Sequence, residues 1–253
     1  MTASLIRVAI RVSLDEREHA IAALLELAPQ GFDEIEREDG IEFGVYTDAD
    51  GEARLRAVFD DVESAPVEPG WEDAWRAFHL PVEVGGLWIG PSWESAPAGS
   101  SVVVIDPGRA FGTGAHPTTR LCIELLASVP RGSLLDVGCG SGVLAIAGAR
   151  LGFEPVHAID DDPVAVETTR ANASVNDVLL DVRLVDATTD ALPRADVALA
   201  NVLLRPVETV LARLDAGVAV VSGYLDGEVP AHDGWTRVAT RTLDGWAADR
   251  FDR

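Results

Sequence analysis

The feature that most constrains the fold is a glycine-rich turn between a buried strand and a helix. Residues 134–142 read LLDVGCGSG, and the apolar segment VLAIAGARLG follows directly. Gly138, Gly140 and Gly142 allow the backbone to turn sharply and to approach a ligand closely. The helix that follows directs its N-terminal amides at that ligand. The sequence therefore predicts a nucleotide-like ligand at the carboxyl end of this strand.

Strands and helices alternate throughout residues 101–253. Apolar runs of strand length are separated by segments with helical spacing, at residues 116–128, 142–151, 163–175 and 205–214. Such alternation predicts a doubly wound, mostly parallel α/β sheet of the Rossmann type, with its ligand at the carboxyl ends of the strands. Two further strands, over 235–243 and 246–252, are expected to close the sheet in antiparallel fashion.

The N-terminal part has a different pattern. Residues 1–68 predict the order βαββαβ, which indicates a small α+β domain of the ferredoxin-like type. Residues 69–100 form a predicted linker that holds four of the six tryptophans. Aromatic side chains at Trp71, Trp75 and Phe78 fall at helical spacing, and we expect them to pack rather than to stack on a substrate.

The spacing of the glycines indicates which cofactor binds. A dinucleotide-binding GxGxxG motif would need a small residue near position 143, where this chain has Val143, and the pattern here is DxGxGxG. Asp160 ends the next strand, 22 residues after Gly138, where its carboxylate would accept both ribose hydroxyls of the cofactor. This combination predicts a methyltransferase that binds S-adenosylmethionine. Asp136 either bonds the cofactor's ammonium group through water or ties down the glycine loop, and both interpretations stay open.

The charge of the chain bears on its partners. The net charge is −22, and all 20 basic residues are arginines without a clear cluster. Because nucleic-acid sites are basic patches, this composition argues against direct nucleic-acid binding and is compatible with a basic protein partner. Solubility or adaptation to salt would produce the same acidity.

The remaining composition indicates the compartment. Cys122 and Cys139 form neither a disulfide framework nor a metal motif, and the five histidines lack ligand spacing. The sequence contains no signal-type segment and no apolar run of membrane-spanning length. We therefore expect a cytoplasmic monomer without a membrane contact and without a metal.

Two further segments carry a resemblance to a known family. Residues 106–119 read DPGRAFGTGAHPTT, and residues 200–204 read ANVLL. Together with the tryptophan-rich segment and the small N-terminal module, they resemble the ribosomal protein L11 methyltransferases, the PrmA family. The resemblance implies that S-adenosylmethionine contacts four residues, which are Thr119, Gly138, Asp160 and Asn201. It also implies methylation of lysine ε-amino and N-terminal α-amino groups on L11, a basic ribosomal protein that the small N-terminal domain recognises.

Asn201 is the candidate catalytic residue. Its side-chain oxygen would accept the hydrogens of the acceptor amine and direct the nitrogen lone pair at the methyl carbon. The alternative is an asparagine that only shapes the end of a strand. For the whole chain, the alternatives are a related methyltransferase acting on another protein or a small amine, and a non-catalytic protein that binds S-adenosylmethionine.

Overall fold

The computed structural model describes residues 6–28, 32–37, 40–67, 80–105 and 114–253. The chain divides into two units, Met1–Phe78 and His79–Arg253. The predicted helical aromatics Trp71, Trp75 and Phe78 lie outside the described residues.

The first unit is an antiparallel sheet of four strands with two helices. Its elements in chain order are β1 (Ile6–Val12), a short 3-10 turn (Leu14–Glu16), α1 (Arg17–Leu27), β2 (Asp33–Arg37), β3 (Gly40–Thr47), α2 (Ala49–Arg56) and β4 (Val62–Pro66). The strands are ordered β2-β3-β1-β4, and every described pair is antiparallel. The element order is the predicted βαββαβ.

The two faces of this sheet differ because side chains alternate along each strand. On one face, Val8, Ile10 and Phe43 are buried in a core shared with both helices. On the other, the carboxylate of Glu42 accepts hydrogen bonds from Arg7 and Arg11, at 3.1 and 3.3 Å. The first unit therefore has its own hydrophobic core and a polar opposite face.

The second unit begins with a small sheet where the sequence predicts a linker. Strands β5 (Val82–Val84), β6 (Leu87–Gly90) and β7 (Ser101–Val104) form a three-stranded sheet. Strands β5 and β6 lie within the predicted linker segment, and the predicted strand at 101 does not join the large sheet. The four residues of β6 are all buried, and parallel pairing with β7 satisfies its backbone groups. Sequence spacing does not specify such non-local pairing.

The large sheet has seven strands. Its elements are α3 (Pro117–Ala127), β8 (Leu134–Val137), α4 (Val143–Arg150), β9 (Val156–Asp160), α5 (Pro163–Val175), β10 (Asp181–Leu184), β11 (Val197–Asn201), α6 (Leu204–Arg213), β12 (Val218–Leu225), β13 (Thr236–Leu243) and β14 (Trp246–Asp252). The strand order is β10-β9-β8-β11-β12-β14-β13. The first five strands are parallel, and β14 is antiparallel to both of its neighbours.

Helices cover both faces of this sheet. Leu134 faces the cluster that includes α3 and α4, while its neighbour Leu135 faces the cluster that includes α6. The strand order reverses at β8, because β9 lies on one side of it and β11 on the other. In open parallel sheets, such a switch point creates a crevice at the carboxyl ends of the strands, and ligands bind there.

Candidate functional site

The glycine loop lies at this switch point. Gly138, Gly140 and Gly142 have φ values of 72°, 55° and 84°, in the left-handed region that favours glycine. The amides of Gly138 and Cys139 donate to the carbonyl oxygen of Ile159 at 2.9 and 3.0 Å, which fixes the loop to the end of β9. The loop therefore has a defined backbone shape, as the spacing of the glycines predicts.

Gly138 also lies against the segment that follows β11. A Cβ atom at position 138 would come within 2.5 Å of Cγ1 of Val202. The backbone of Val202 in turn contacts Gly223, which lies in a bulge of β12. A Cβ atom at position 223 would lie 1.9 Å from the carbonyl oxygen of Val202. Two glycines thus allow the segment after Asn201 to approach the glycine loop closely.

Asp160 is placed at the end of β9, as predicted, and its carboxylate binds backbone amides. Oδ2 accepts from the amide of Gly140 at 2.9 Å, and Oδ1 accepts from the amide of Asp162 at 3.0 Å. Burial raises the pKa of Asp160, although both hydrogen bonds act in the opposite direction. Because a carboxylate has about four acceptor positions, it retains capacity for two ligand hydroxyls.

Asp136 is buried beneath the glycine loop. Its Oδ2 accepts from the amide of Ala145 in α4 at 3.0 Å, while Oδ1 is buried and has no hydrogen-bond partner among the described residues. Burial raises the pKa of Asp136 to about 7; the hydrogen bond from Ala145 lowers it, and the charge of Asp160 raises it further. The hydrogen bond from Ala145 shows that Asp136 ties the loop strand to α4, and no described residue bonds its second carboxylate oxygen.

Thr119 and Asn201 meet across the site. Thr119 lies in the first turn of α3 and is buried, and Asn201 ends β11 half-buried. The side-chain amide Nδ2 of Asn201 donates to the hydroxyl of Thr119 at 3.5 Å. The structure therefore brings together two residues that the sequence analysis selected from distant segments.

Helix α5 supplies residues that the sequence analysis did not select. The hydroxyl of Thr169 donates to the carbonyl oxygen of Gly140 at 3.0 Å, and the amide of Asn172 donates to the carbonyl oxygen of Ser141 at 2.8 Å. Their spacing of three residues places both on one helix face. A sequence signal for these two residues exists: both are polar, and both lie on the face of α5 that packs on the sheet and would ordinarily be apolar.

His116 is the N-cap residue of α3. Its Nδ1 accepts from the amide of Thr118 at 3.3 Å, and its ring packs edge-on against Trp246 at 5.0 Å between centroids. Burial lowers the pKa of His116. This geometry is that of a packed helix-capping residue. Residues 106–113, which hold the first part of the DPGRAFGTGAHPTT segment, lie outside the described residues.

The described residues include no group of three or more potential ligands that would hold a metal ion. Within the same ranges, no helix has the length and apolar character needed to span a membrane.

Comparison with solved structures identifies the fold. A ribosomal protein L11 methylase from Lactobacillus delbrueckii subsp. bulgaricus superposes with a TM-score of 0.58 at 24% identity, over 66% of this chain and 93% of that chain. The likeness shows a Rossmann-like α/β fold, as the sequence predicts.

Curated relatives match most of this chain. The L11 methyltransferases of Cupriavidus taiwanensis and Symbiobacterium thermophilum are 38% and 41% identical over 76% and 72% of it. The matches span 66% and 65% of those two relatives' lengths. The L11 methyltransferase of Photobacterium profundum is 39% identical over 81% of this chain and 75% of its own length.

The family model for ribosomal protein L11 methyltransferase (PrmA) matches residues 49–246, which include the glycine loop and every candidate site residue. The chain therefore belongs to the ribosomal protein L11 methyltransferase family.

Proposed function

We propose that this chain is an S-adenosylmethionine-dependent protein N-methyltransferase that acts on lysine ε-amino and N-terminal α-amino groups of ribosomal protein L11. The main support is that the glycine loop, Asp160 and the Thr119–Asn201 pair meet at one switch point of the sheet. The chain's membership of the L11 methyltransferase family supports the same function. The names of the relatives support the choice of substrate.

The residues present fit S-adenosylmethionine. The glycine loop, with positive φ at Gly138, Gly140 and Gly142, has a backbone shape that suits close approach of a ligand. The carboxylate of Asp160 suits ribose hydroxyls, and Oδ1 of Asp136, which no residue in the described ranges bonds, suits a water or the ligand's ammonium group. Thr119 and Asn201 complete the proposed cofactor contacts, with Gly138 and Gly140 of the loop.

When bound, S-adenosylmethionine would supply a methyl group from its positively charged sulfur: the neutral amine would attack the methyl carbon in line, and S-adenosylhomocysteine would leave as a neutral thioether. This chain's residues then act by positioning. Because Nδ2 of Asn201 donates to Thr119, the hydrogen bond orients the amide so that its Oδ1 atom is left to accept hydrogens from the acceptor amine. Asn201 is therefore the proposed catalytic residue.

The acceptor amine must lose a proton before it reacts. With a reference pKa of about 10.4, deprotonation of a lysine at pH 7 costs about 4 to 5 kcal/mol. Burial in the site disfavours the charged ammonium and reduces this cost.

Charge and organisation support a protein substrate. A net charge of −22 favours encounter with a basic ribosomal protein and disfavours direct contact with nucleic acid. Because every candidate residue lies in the unit His79–Arg253, the unit Met1–Phe78 is left for substrate recognition. We place the protein in the cytoplasm and expect it to act as a monomer.

Transfer of a radiolabelled methyl group tests the proposal. Wild-type protein should label purified L11 and leave free lysine unlabelled, while the Gly138→Ala variant should label neither. Labelling of free lysine alone would indicate a small-amine acceptor. Binding of S-adenosylmethionine without transfer to either would favour a non-catalytic binding protein.

A further inference from the structure

Helix α5 carries a stripe of buried polar side chains. Thr169, Asn172 and Asn176, the last being the C-cap residue, lie on one helix face and are 0%, 4% and 3% exposed. Burial of polar groups is unfavourable unless each is hydrogen-bonded. A helix that packs against a sheet would ordinarily present apolar residues there. The stripe therefore calls for an explanation beyond packing.

The N-terminal part of the stripe holds the glycine loop. Thr169 and Asn172 donate to the carbonyl oxygens of Gly140 and Ser141. Thr169 also packs closely on Gly142, where a Cβ atom would lie 2.9 Å from its Cγ2. These bonds fix the loop carbonyls on the side of α5, and thereby fix the direction in which the loop amides point.

The C-terminal end of the stripe holds a different element. The side chain of Asn176 bonds both backbone groups of Val104 in β7: Oδ1 accepts from the amide at 2.8 Å, and Nδ2 donates to the carbonyl oxygen at 2.6 Å. Nδ2 also donates to the carbonyl oxygen of Asn172 at 2.8 Å. Arg150 of α4 adds hydrogen bonds to the carbonyl oxygens of Asn176 and Val102. Asn176 thus bonds β7 as a neighbouring strand would.

Strand β7 leads to the other half of the site. It pairs with β6, and Ile89 of β6 packs on Gly114, where a Cβ atom would lie 2.6 Å from Cγ2 of Ile89. Gly114 lies three residues before the start of α3 at Pro117, and α3 carries Thr119, the hydrogen-bond partner of Asn201. The stripe therefore connects the glycine loop to β7, and through β6 and Gly114 to the start of the helix that carries Thr119.

We propose that Asn176 is a positioning residue that fixes the glycine loop and the Thr119 side of the site relative to each other. Affinity for S-adenosylmethionine therefore depends on a side chain that is remote from both the glycine loop and Thr119. This inference rests on the proposed cofactor site. The cause is geometric: without the amide, the backbone groups of Val104 lose their partners and β7 can shift relative to α5.

Calorimetry on the full chain tests the proposal. In the Asn176→Ala variant, we expect the Kd for S-adenosylmethionine and for S-adenosylhomocysteine to rise about tenfold or more. The control is Arg131→Met, which removes hydrogen bonds from Arg131 to four backbone carbonyls near the amino end of β8. It should lower the Tm and leave both Kd values within about twofold of wild type.

The outcomes separate this inference from the proposed function. A wild-type protein that does not bind S-adenosylmethionine would overturn the proposed function. A wild-type protein that binds, with an Asn176→Ala variant that binds equally well, would overturn the role of Asn176. An Asn176→Ala variant that loses no more affinity than the control would also overturn it.

A second measurement needs no folded variant. Hydrogen exchange of the wild-type protein should show slower exchange at the amide of Val104 when S-adenosylhomocysteine is added, because ligand binding and the Asn176 contact stabilise the same arrangement. An unchanged exchange rate at Val104, with protection gained in the glycine loop, would contradict the proposal.

Discussion

The side-chain amide of Asn201 donates a hydrogen bond to the hydroxyl of Thr119, across the carboxyl edge of the large sheet and between residues 82 positions apart in the chain. This contact places Nδ2 of Asn201 toward Thr119 and leaves Oδ1 on the other side of the amide. It therefore connects a residue of the first turn of α3 to the proposed chemistry at the end of β11.

Replacement of Asn201 by Ala should lower turnover by about a hundredfold, because the acceptor amine loses its orienting oxygen. Affinity for S-adenosylmethionine should fall much less. Steady-state kinetics with L11 and calorimetry with the cofactor measure the two effects separately. Thr119→Val, which removes only the hydroxyl, should reduce turnover in the same direction but less. An Asn201→Ala variant with wild-type turnover would remove Asn201 from the mechanism.

Replacement of Asp160 by Ala should weaken cofactor binding by about ten- to a hundredfold, the effect of losing hydrogen bonds to a charged group. Because Asp160 also holds the amide of Gly140, the ribose contribution needs its own control. An analogue of S-adenosylhomocysteine without ribose hydroxyls should bind wild type and variant with a smaller difference in affinity. Equal losses for both ligands would indicate that Asp160 only shapes the loop.

Gly138→Ala and Gly152→Ala form a matched pair of substitutions. Both glycines have positive φ values, 72° and 93°, so each alanine should cost about 1 to 2 kcal/mol in backbone strain. Among the atoms of the described residues, the Cβ added at Gly138 would meet Val202 at 2.5 Å, while the one added at Gly152 would have nothing within 4 Å.

Urea unfolding should therefore show a larger loss of stability for Gly138→Ala, and calorimetry should show loss of cofactor binding for that variant alone. Equal effects of the two substitutions on cofactor binding would contradict the role of the glycine loop.

The raised pKa of Asp136 has a consequence for stability. Burial raises this pKa to about 7 in the folded state, whereas it is about 3.9 in an unfolded chain. Between these values the folded state binds more protons, so its stability falls as the pH rises from about 4 to 7.

An Asp136→Asn variant lacks this titration. The free energy of unfolding of the variant minus that of wild type should therefore increase between pH 5 and pH 8. Urea titrations of both proteins at the two pH values measure this difference in the free energy of unfolding. The contributions of titrating groups that both proteins share cancel in the difference. A difference that stays constant with pH would contradict the buried, neutral state of Asp136.

Local patterns in the sequence predict the large sheet and its site well. Asp162 followed by Pro163 predicts the start of α5, and in the structure Asp162 caps that helix by accepting from the amide of Val164 at 2.8 Å. The glycine spacing and the strand-end position of Asp160 likewise depend on near neighbours in the chain. Such features follow from short-range geometry and are readable without a structure.

Non-local contacts were not predictable in the same way. The pairing of β6 with β7 and the bonds from Asn176 to Val104, 72 residues apart, depend on how elements pack in three dimensions. An asparagine at the end of a helix is ordinarily interpreted as a local capping residue. Its reach to a strand of another sheet leaves no signal in the sequence pattern.

The most direct test of the central claim is mass spectrometry of L11 after incubation with this protein and S-adenosylmethionine. We predict that the mass of L11 increases in steps of one methylene group, that the modified sites map to lysine side chains and the N-terminal amine, and that Asp160→Ala greatly reduces the gain. An unchanged mass of L11, with wild-type protein that binds the cofactor, would contradict the proposed substrate.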